Sequence, residues 1–497
     1  MSKLDSFFGI TAKGSTLKTE ILAGITTFLA MCYILTVNPN QIFYNGSENP
    51  MWSSVFIATA LGAVIGCLLM AFLAKMPYAQ APGMGLNSTV GTIIGGGLGF
   101  YGYTYEFTFA NAMFLVLISG MVFLILTAVP CGKNKETGKL VSLREKIFDG
   151  IPNGIRRAIP VGIGLFIAFI GLQNAGVVQA NQYTLVEFAN IKIGTWNADG
   201  SSAKTTIICL FSLLVIAILS HYKVKGAIIL GVLAGTILSI PMGVANISAL
   251  TDVESWKFWN NFTNFASSEN GTLFSAVTSG LKMPDGSFMT CVMLIITFAM
   301  IDMFDTMGTV LGCATKAGLL DENGKPLRYN QTMYSDAIAT CAGALMGTST
   351  VTTFVESGTG IAAGGKTGLV ALVNAFLFLV AIFLLPVFAF IPSAATAAAL
   401  IYVGVVMMST VKDIDFSDIR LAVPSFLTIL MMPMAYSITS GIGIGIVSYV
   451  LISLICWVID AIRAAAGKCE KPEFPISVVM AVIFALFLVY FLVPTTF

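Results

Sequence analysis

The sequence is short of charged residues. Asp, Glu, Lys and Arg make up only 10% of its 497 residues, whereas a typical soluble protein has about 25%. The net charge is +1 and there is no basic tail, so the composition gives no indication of binding to nucleic acid. With 56% apolar residues and a mean hydropathy of +0.87, the chain is too apolar for an ordinary soluble protein of this length.

Histidine and closely spaced cysteines are scarce as well. The single histidine, His221, ends an apolar run, and the nine cysteines show no C-x-x-C spacing. The pattern contains no zinc-site spacing and no disulfide framework. It also contains no nucleophile–base pair of the kind that an enzyme needs. The sequence therefore predicts no metal site, no cofactor and no enzymatic activity.

Long apolar runs, by contrast, are abundant. They are apolar on all sides and about 17–25 residues long, enough to cross a hydrocarbon core of roughly 30 Å. The third and the tenth are too short, and too rich in glycine, to cross as ordinary helices. We predict an all-α polytopic protein of the lipid bilayer with apolar segments near residues 19–37, 53–74, 84–98, 106–130, 154–171, 205–221, 226–246, 286–312, 331–348, 354–364, 367–391, 393–411, 421–436, 440–463 and 474–494.

The charged loops predict the direction of these crossings. With residues 1–18 inside, all but four of the 26 basic residues fall in loops on the inner side. The exceptions are Lys192, Lys204, Lys257 and Lys282. This bias follows the positive-inside rule, so we expect a cytoplasmic N-terminus. The last run, 474–494, either crosses the membrane or lies against it, which leaves the side of the C-terminus open.

The two short segments occupy comparable places in two halves of seven segments each. They read YAQAPGMGLNST over residues 78–89 and TVTTFVESGTG over residues 350–360. In both, an extended stretch leads into a glycine-rich helix start. Seven is an odd number, so the second half would be inverted, and paired broken helices in inverted halves indicate a transport site near the midplane. The alternative is that the glycines only permit close helix packing.

Four carboxylates lie in or beside apolar segments: Asp302, Asp305, Asp336 and Glu356. Each costs about 2.5–3.5 kcal/mol at the centre of a membrane helix. No lysine or arginine lies inside this cluster, which favours a neutral, flat substrate with N–H donors over an anion. Acids that gain and lose protons also suit coupling to a cation. A packing hydrogen bond is an equal alternative for Asp305, and a helix cap or inter-domain contact for Asp336.

Four motifs in order resemble those of the AzgA-like adenine/guanine/hypoxanthine permeases, within the nucleobase–cation symporter (xanthine/uracil permease) superfamily. They are GITTFLAMCYIL at 24–35, APGMGLN at 81–87, FDTMGT at 304–309 and ESGTGIAAGGKTG at 356–368. The resemblance runs from about residue 4 to beyond residue 460. It implies fourteen segments in two inverted repeats, with segments 1–4 and 8–11 as a core domain and segments 5–7 and 12–14 as a gate domain.

On this resemblance the chain divides into a cytoplasmic N-terminus (1–18), a first repeat (19–246), an outer loop (247–285), a second repeat (286–463) and a tail with the extra segment (464–497). The implied activity is import of a purine base with protons across the cell membrane, by an elevator-like movement of core against gate. The implied substrate contacts are Gly85, Asn87, Asp302 and Glu356, with Asp305 and Asp336 as supporting or proton-coupling acids. Tyr33 and Phe354 are candidates for stacking on a ring.

Two positions depart from the family pattern within its motifs. Lys366 stands where the family usually has arginine, and Ser88-Thr89 where it more often has an alanine and an aromatic residue. The preferred purine, proton against sodium coupling, and a homodimer against a monomer stay open. Rival hypotheses are uracil, xanthine or an anion as substrate, a membrane-embedded enzyme, and a channel.

Overall fold

A computed structural model of the protein describes residues 3–43, 49–94, 107–133, 140–197, 201–245, 256, 258–267, 271–321, 325–465 and 473–492. The first half contains α1 (Lys3–Phe8), α2 (Leu17–Met31), α3 (Ile34–Ile42), α4 (Trp52–Leu69), β1 (Gln80–Pro82), α5 (Met84–Ile94), α6 (Phe109–Ala128), β2 (Pro130–Lys133), β3 (Leu140–Ser142), α7 (Leu143–Asp149), α8 (Asn153–Asn174), β4 (Val178–Asn181), β5 (Leu185–Phe188), α9 (Ala203–His221) and α10 (Ala227–Ser239).

The second half contains α11 (Phe258–Phe265), α12 (Ser275–Thr278), α13 (Phe288–Ala317), α14 (Tyr329–Met346), β6 (Val351–Thr353), α15 (Ser357–Ala362), α16 (Gly368–Ala381), α17 (Leu385–Ala389), α18 (Ser393–Met408), α19 (Ile419–Met434), α20 (Ile438–Ala465) and α21 (Val478–Leu492). A π-helical turn, Met70–Ala74, continues α4.

Each predicted apolar segment contains a helix. Nine helical stretches among the described residues are long and apolar enough to cross a membrane, and α10, α19 and α21 are shorter apolar helices. α14 is long enough but is more polar, and α5 and α15 are the two broken helices, with eleven and six residues. Residues 95–98, 106, 246 and 493–494 of the predicted segments lie outside the described residues.

A two-stranded ribbon lies in the middle of the helix bundle. β1 and β6 pair antiparallel, with Gln80 opposite Thr353 and Pro82 opposite Val351, and all their residues are buried. The ribbon is about 7 Å long at the usual rise per residue. Its strands give backbone that leaves the helical form inside the membrane a hydrogen-bonding partner within the protein. The predicted extended stretches before two broken helices are thereby confirmed.

The broken helices begin at opposite ends of this ribbon. α5 starts directly after β1, and α15 starts four residues after β6 ends. Glycine brings both helices close to their neighbours: a Cβ added at Gly91 would lie 2.1 Å from the Gln41 carbonyl oxygen, and one at Gly360 would lie 2.0 Å from Oγ1 of Thr27. Close packing by glycine and interruption of the helices therefore occur together.

Helix contacts divide the bundle into two groups. In the first group, α14 packs against α4 and α6, and α16 packs against α2 and α4. In the second group, α18 packs against α8 and α9, and α19 packs against α8 and α20. Each group combines helices from both halves of the sequence. The groups meet where α8 contacts α5 and α13.

One end of the bundle gathers several basic residues, and we call it the basic end. Hydrogen bonds and an ion pair there join Lys13 to Lys366, Lys75 to Phe7, Arg328 to Ala74 and Lys325 to Glu145. The N-terminal segment also lies at this end. α13 ends beside it, so the first turns of that 30-residue helix lie at the opposite end of the bundle.

α21 lies antiparallel to α20. Near the basic end, Val479 contacts Gly150, which directly follows α7, and the rings of Phe474 and Trp457 are 5.4 Å apart. Farther along, Phe487 lies against Gly443 near the start of α20. Fifteen residues of α-helix span about 22 Å. The last apolar run therefore returns across the bundle and ends opposite the basic end.

This course of α21 predicts that the two chain termini lie on opposite sides of the membrane. A reporter fused after Phe497 should report the side opposite to one fused before Met1, because α21 adds one crossing after α20. Matched fusions of a fluorescent protein and of alkaline phosphatase at each terminus measure this. Both termini on one side would mean that α21 does not cross.

Candidate functional site

A small cavity lies beside the ribbon, between the two helix groups. Its volume is about 30 Å³, which holds one or two water molecules at about 10–15 Å³ each and nothing larger. The wall from the first group is largely polar, and the wall from the second is apolar. The cavity is lined by Gly83, Met84, Asp305, Thr309, Thr352, Thr353, Phe354, Val355 and Glu356 on the first wall and by Ile167, Val403 and Met407 on the second.

Glu356 is the buried acid of this cavity and directly precedes α15. Tyr33, which directly precedes α3, donates a hydrogen bond of 2.6 Å to Oε1 of Glu356. The second carboxylate oxygen, Oε2, is buried and has no hydrogen-bond partner among the described residues. Leaving a buried acceptor unpaired is unfavourable. Oε2 is therefore an open acceptor for a ligand that carries an N–H or O–H group.

Asn87 and Asp302 each leave one polar atom unpaired as well. Oδ1 of Asn87 accepts a hydrogen bond from the Ser349 hydroxyl, whereas its Nδ2 has no partner in the described part of the chain. Oδ2 of Asp302 accepts from Oγ1 of Thr340 at 3.1 Å, whereas its Oδ1 has none there. Both residues are fully buried. Together with Glu356, they offer one amide donor and two carboxylate acceptors.

Asp336 has a different environment, because both of its oxygens are paired. Oδ1 accepts from Nε2 of Gln80 at 2.8 Å, and Oδ2 accepts from Oγ1 of Thr306 at 2.9 Å. These partners lie on β1 and α13, within the same helix group as Asp336. The contact ties three elements of that group together and is neither a helix cap nor a bridge between the two groups.

The closed cavity brings together only some of the predicted site residues. Glu356 and Asp305 line it, whereas Asn87 and Asp302 lie within one helical turn of residues that do. Gly85 faces α20, because a Cβ added there would lie 2.8 Å from Cδ1 of Ile438. The roles of these residues in binding stay predictions.

The surroundings of the cavity carry no positive side chain. None of the described residues that line it is lysine or arginine. The buried Arg144 stacks on the ring of Tyr329 at 4.7 Å and lies toward the basic end. Across the described ranges, no three or more His, Cys, Asp or Glu side chains are grouped to hold a metal ion.

The family model whose description is "Permease family", that of the xanthine/uracil permeases, matches residues 18–444, which include both broken helices and all the acids discussed above. This chain belongs to the permease family. The permease is 33% identical to a guanine/hypoxanthine permease of Bacillus subtilis over 98% of this chain and 99% of that protein. It is 32% identical to an adenine permease of Escherichia coli over 91% of this chain and 90% of that protein.

A solved structure confirms the fold of the permease. The transmembrane domain of a cyanobacterial bicarbonate transporter matches it with a TM-score of 0.55 and 16% sequence identity, over 86% of this chain and 97% of that chain. The shared architecture is the inverted repeat of seven plus seven segments, as predicted. At this identity the likeness concerns the fold alone. The relatives by sequence are permeases and not enzymes, which agrees with the predicted lack of enzymatic activity.

Sequence reasoning missed two polar contacts of the permease. Tyr33 was a candidate for ring stacking, but its hydroxyl bonds to Glu356. Glu20, fully buried, accepts hydrogen bonds from the backbone N–H groups of Lys366 and Thr367, at 2.9 and 3.1 Å, and so fixes the loop before α16. A glutamate in the first turn of an apolar helix was the available signal for this second contact.

The bond between Tyr33 and Glu356 predicts a loss of stability when the hydroxyl is removed. Tyr33→Phe should lower the stability of the permease by about 1.5–3 kcal/mol, the usual contribution of a hydrogen bond to a charged group. The midpoint of thermal unfolding in detergent measures the change. Tyr78→Phe is the matched control, because the buried Tyr78 hydroxyl has no partner among the described residues. Equal losses in both variants would contradict the assignment.

Proposed function

We propose that this permease imports purine nucleobases by proton symport with an elevator-like mechanism. The observation that carries the proposal is the set of unpaired buried atoms beside the ribbon: Oε2 of Glu356, Oδ1 of Asp302 and Nδ2 of Asn87. A purine base presents N–H donors and ring or carbonyl acceptors on adjacent edges. Two acceptors and one donor match such edges. The printed substrates of the relatives, guanine, hypoxanthine and adenine, support the same class.

Each predicted site residue has a role in this proposal. Glu356 and Asp302 accept hydrogen bonds from the N–H groups of the base, and Asn87 donates one to a ring acceptor. Gly85 keeps the start of α5 free of a side chain where the base enters. Asp305 supports Glu356 across the cavity. Asp336, whose oxygens are both paired, supports binding by holding the ribbon and α13 in place.

Proton coupling follows from the same carboxylates. Asp305 and Glu356 line one small cavity from α13 and from the start of α15, and two like charges so close in an apolar medium repel each other strongly. Taking up one proton removes this repulsion. A proton that enters with the base would therefore allow the loaded site to move through the membrane with less buried charge.

The elevator-like movement rests on the two helix groups. In this proposal the first group is the core domain (segments 1–4 and 8–11), and the second is the gate domain (segments 5–7 and 12–14). The domain limits of the repeats are 19–246 and 286–463. The cavity lies between the groups, and its gate wall is apolar, formed by Ile167, Val403 and Met407. Such a wall makes no hydrogen bonds that a sliding core would have to break.

Orientation and location complete the proposal. The basic end faces the cytoplasm, as the positive-inside rule requires, and the protein lies in the cell membrane with a cytoplasmic N-terminus. The exposed faces of the gate helices are apolar, with Leu214 and Val405 more than half exposed. They suit contact with lipid or with the gate domain of a second copy in a homodimer.

The rival that keeps the fold is an anion carrier, in line with the bicarbonate transporter of similar architecture. An anion needs a cation or unopposed helix N-termini at its site. The cavity of this chain instead presents two carboxylates and no positive side chain among its described lining residues. This observation favours a neutral base.

Replacement of Glu356 should abolish uptake. Glu356→Ala, and to a lesser degree Glu356→Gln, should reduce the uptake of labelled hypoxanthine by roughly tenfold or more, because a hydrogen bond to a charged group of about 1.5–3 kcal/mol is lost. The assay uses cells that lack their own purine permeases, with the amount of membrane protein measured by immunoblot. Glu187→Gln, a change on the exposed strand β5, is the control and should transport normally. Unchanged uptake by Glu356→Ala would refute the site.

Proton coupling predicts a dependence on the proton gradient. Uptake of hypoxanthine should rise as the external pH falls and should stop when a protonophore is added, since each base enters with a proton. Replacing sodium by choline should have no effect. Initial rates in energised cells or proteoliposomes measure this. Uptake that survives the protonophore but fails without sodium would show that sodium is the coupling ion.

A further inference from the structure

A second and larger cavity lies at the end of the bundle opposite the basic end. Its volume is about 290 Å³, near the lower limit of the roughly 300–1,000 Å³ of small-molecule sites. It lies between the second half of α5, the first turns of α13, the link from α19 to α20, and the last turn of α21. Phe166 lines this cavity and its neighbour Ile167 lines the central one, so the two cavities are adjacent along α8.

The lining of this outer cavity is uncharged and rich in hydroxyl groups. None of the described residues that line it is acidic or basic. Thr89 and Thr92 donate their hydroxyl protons to carbonyl groups of their own helix, at 3.0 and 2.9 Å. Their oxygens therefore act toward the cavity as acceptors. Such a lining suits a neutral ligand with N–H donors and disfavours an ion, which would lose its hydration there.

Aromatic rings form much of the remaining wall. Phe166 and Tyr436 pack edge to face with ring centroids 5.3 Å apart, and Tyr490 and Phe491 do so at 5.2 Å. All four residues line the cavity. Ring faces of this kind bind flat heteroaromatic molecules by stacking.

The extra helix α21 supplies the second aromatic pair. Phe487, one turn earlier, is wedged against Gly443 of α20 and so fixes the end of α21 at the cavity. The fourteen segments of the inverted repeat would leave this side of the cavity without Tyr490 and Phe491. α21 is therefore part of the cavity wall as well as an added crossing.

We propose that this cavity is an outer binding site for a neutral, flat, N–H-bearing heteroaromatic base, completed by α21 and separate from the site at Glu356. The identity of the ligand rests on the proposed function. Ile438 lines the outer cavity and contacts the start of α5 at Gly85, between the two cavities. Its side chain closes the passage from the outer site to the central one in this form of the protein.

Protection of a cysteine placed in the outer cavity tests this proposal. The full-length chain carries Cys291→Ser and Ser440→Cys, and cells are labelled from outside with a membrane-impermeant thiol reagent. Hypoxanthine should slow the labelling severalfold. It should do so equally when Glu356→Ala is added, because the outer site does not use that carboxylate. Ile193→Cys, an exposed position at the same end, is the control and should label at one rate with or without the base.

The contribution of α21 has its own matched pair of variants. Tyr490→Ala should raise the hypoxanthine concentration for half-maximal protection by about fivefold or more, the lower range for removal of a stacking ring. Val489→Ala, on the more exposed face of the same helix turn, should leave it unchanged. Equal shifts in both variants would overturn the role of α21.

The outcomes separate this proposal from the proposed function. Protection that disappears in Glu356→Ala would overturn the outer site, because it would reflect occupancy of the central site alone. Uptake by the unchanged protein without any protection would overturn the outer site and leave the proposed function standing. Protection without uptake would support the outer site and overturn the proposed import.

Discussion

The fold depends on one constraint: backbone that stops being helical inside a membrane must find hydrogen bonds within the protein. The ribbon of β1 and β6 meets this constraint with six buried residues from the two halves of the chain. Because each strand leads into a broken helix, the ribbon also fixes where α5 and α15 begin. Glu356 owes its place beside the cavity to this arrangement, as do Asn87 and the residues around Gly83. A change that loosens the strand pairing would displace all of them together.

The degree of pairing of each acid distinguishes structural from ligand-directed carboxylates. Both oxygens of Asp336 are paired, and its partners lie on the ribbon and on α13. Glu356 and Asp302 each have one paired oxygen and one without a partner among the described residues. The paired half holds the side chain in position, and the unpaired half can bind a ligand without prior loss of a protein contact. Such preorganisation reduces the entropy that binding would otherwise cost.

Much of this architecture was predictable from the sequence because membrane helices are constrained one at a time. Run length marks the crossings, glycine and proline mark the two interruptions, and the inverted order follows from counting. Pairings between distant residues were not predictable, since nothing local specifies them. The bond from Tyr33 to Glu356 joins positions 323 residues apart, and the contact of Glu20 with Lys366 and Thr367 is of the same kind. The closed state of the central cavity depends on how the two helix groups meet, which residue patterns do not encode.

α21 has a consequence for the symmetry of the molecule. An inverted repeat makes the two faces of a carrier resemble each other, so each face would offer the passing molecule a similar surface. In the described residues, α21 packs along one side of the second repeat, and the first repeat has no equivalent helix after α10. The approaches from the two faces are therefore chemically unequal. A reversible carrier of this kind has different half-saturation concentrations for entry and exit, and its direction at rest is still set by the gradients alone.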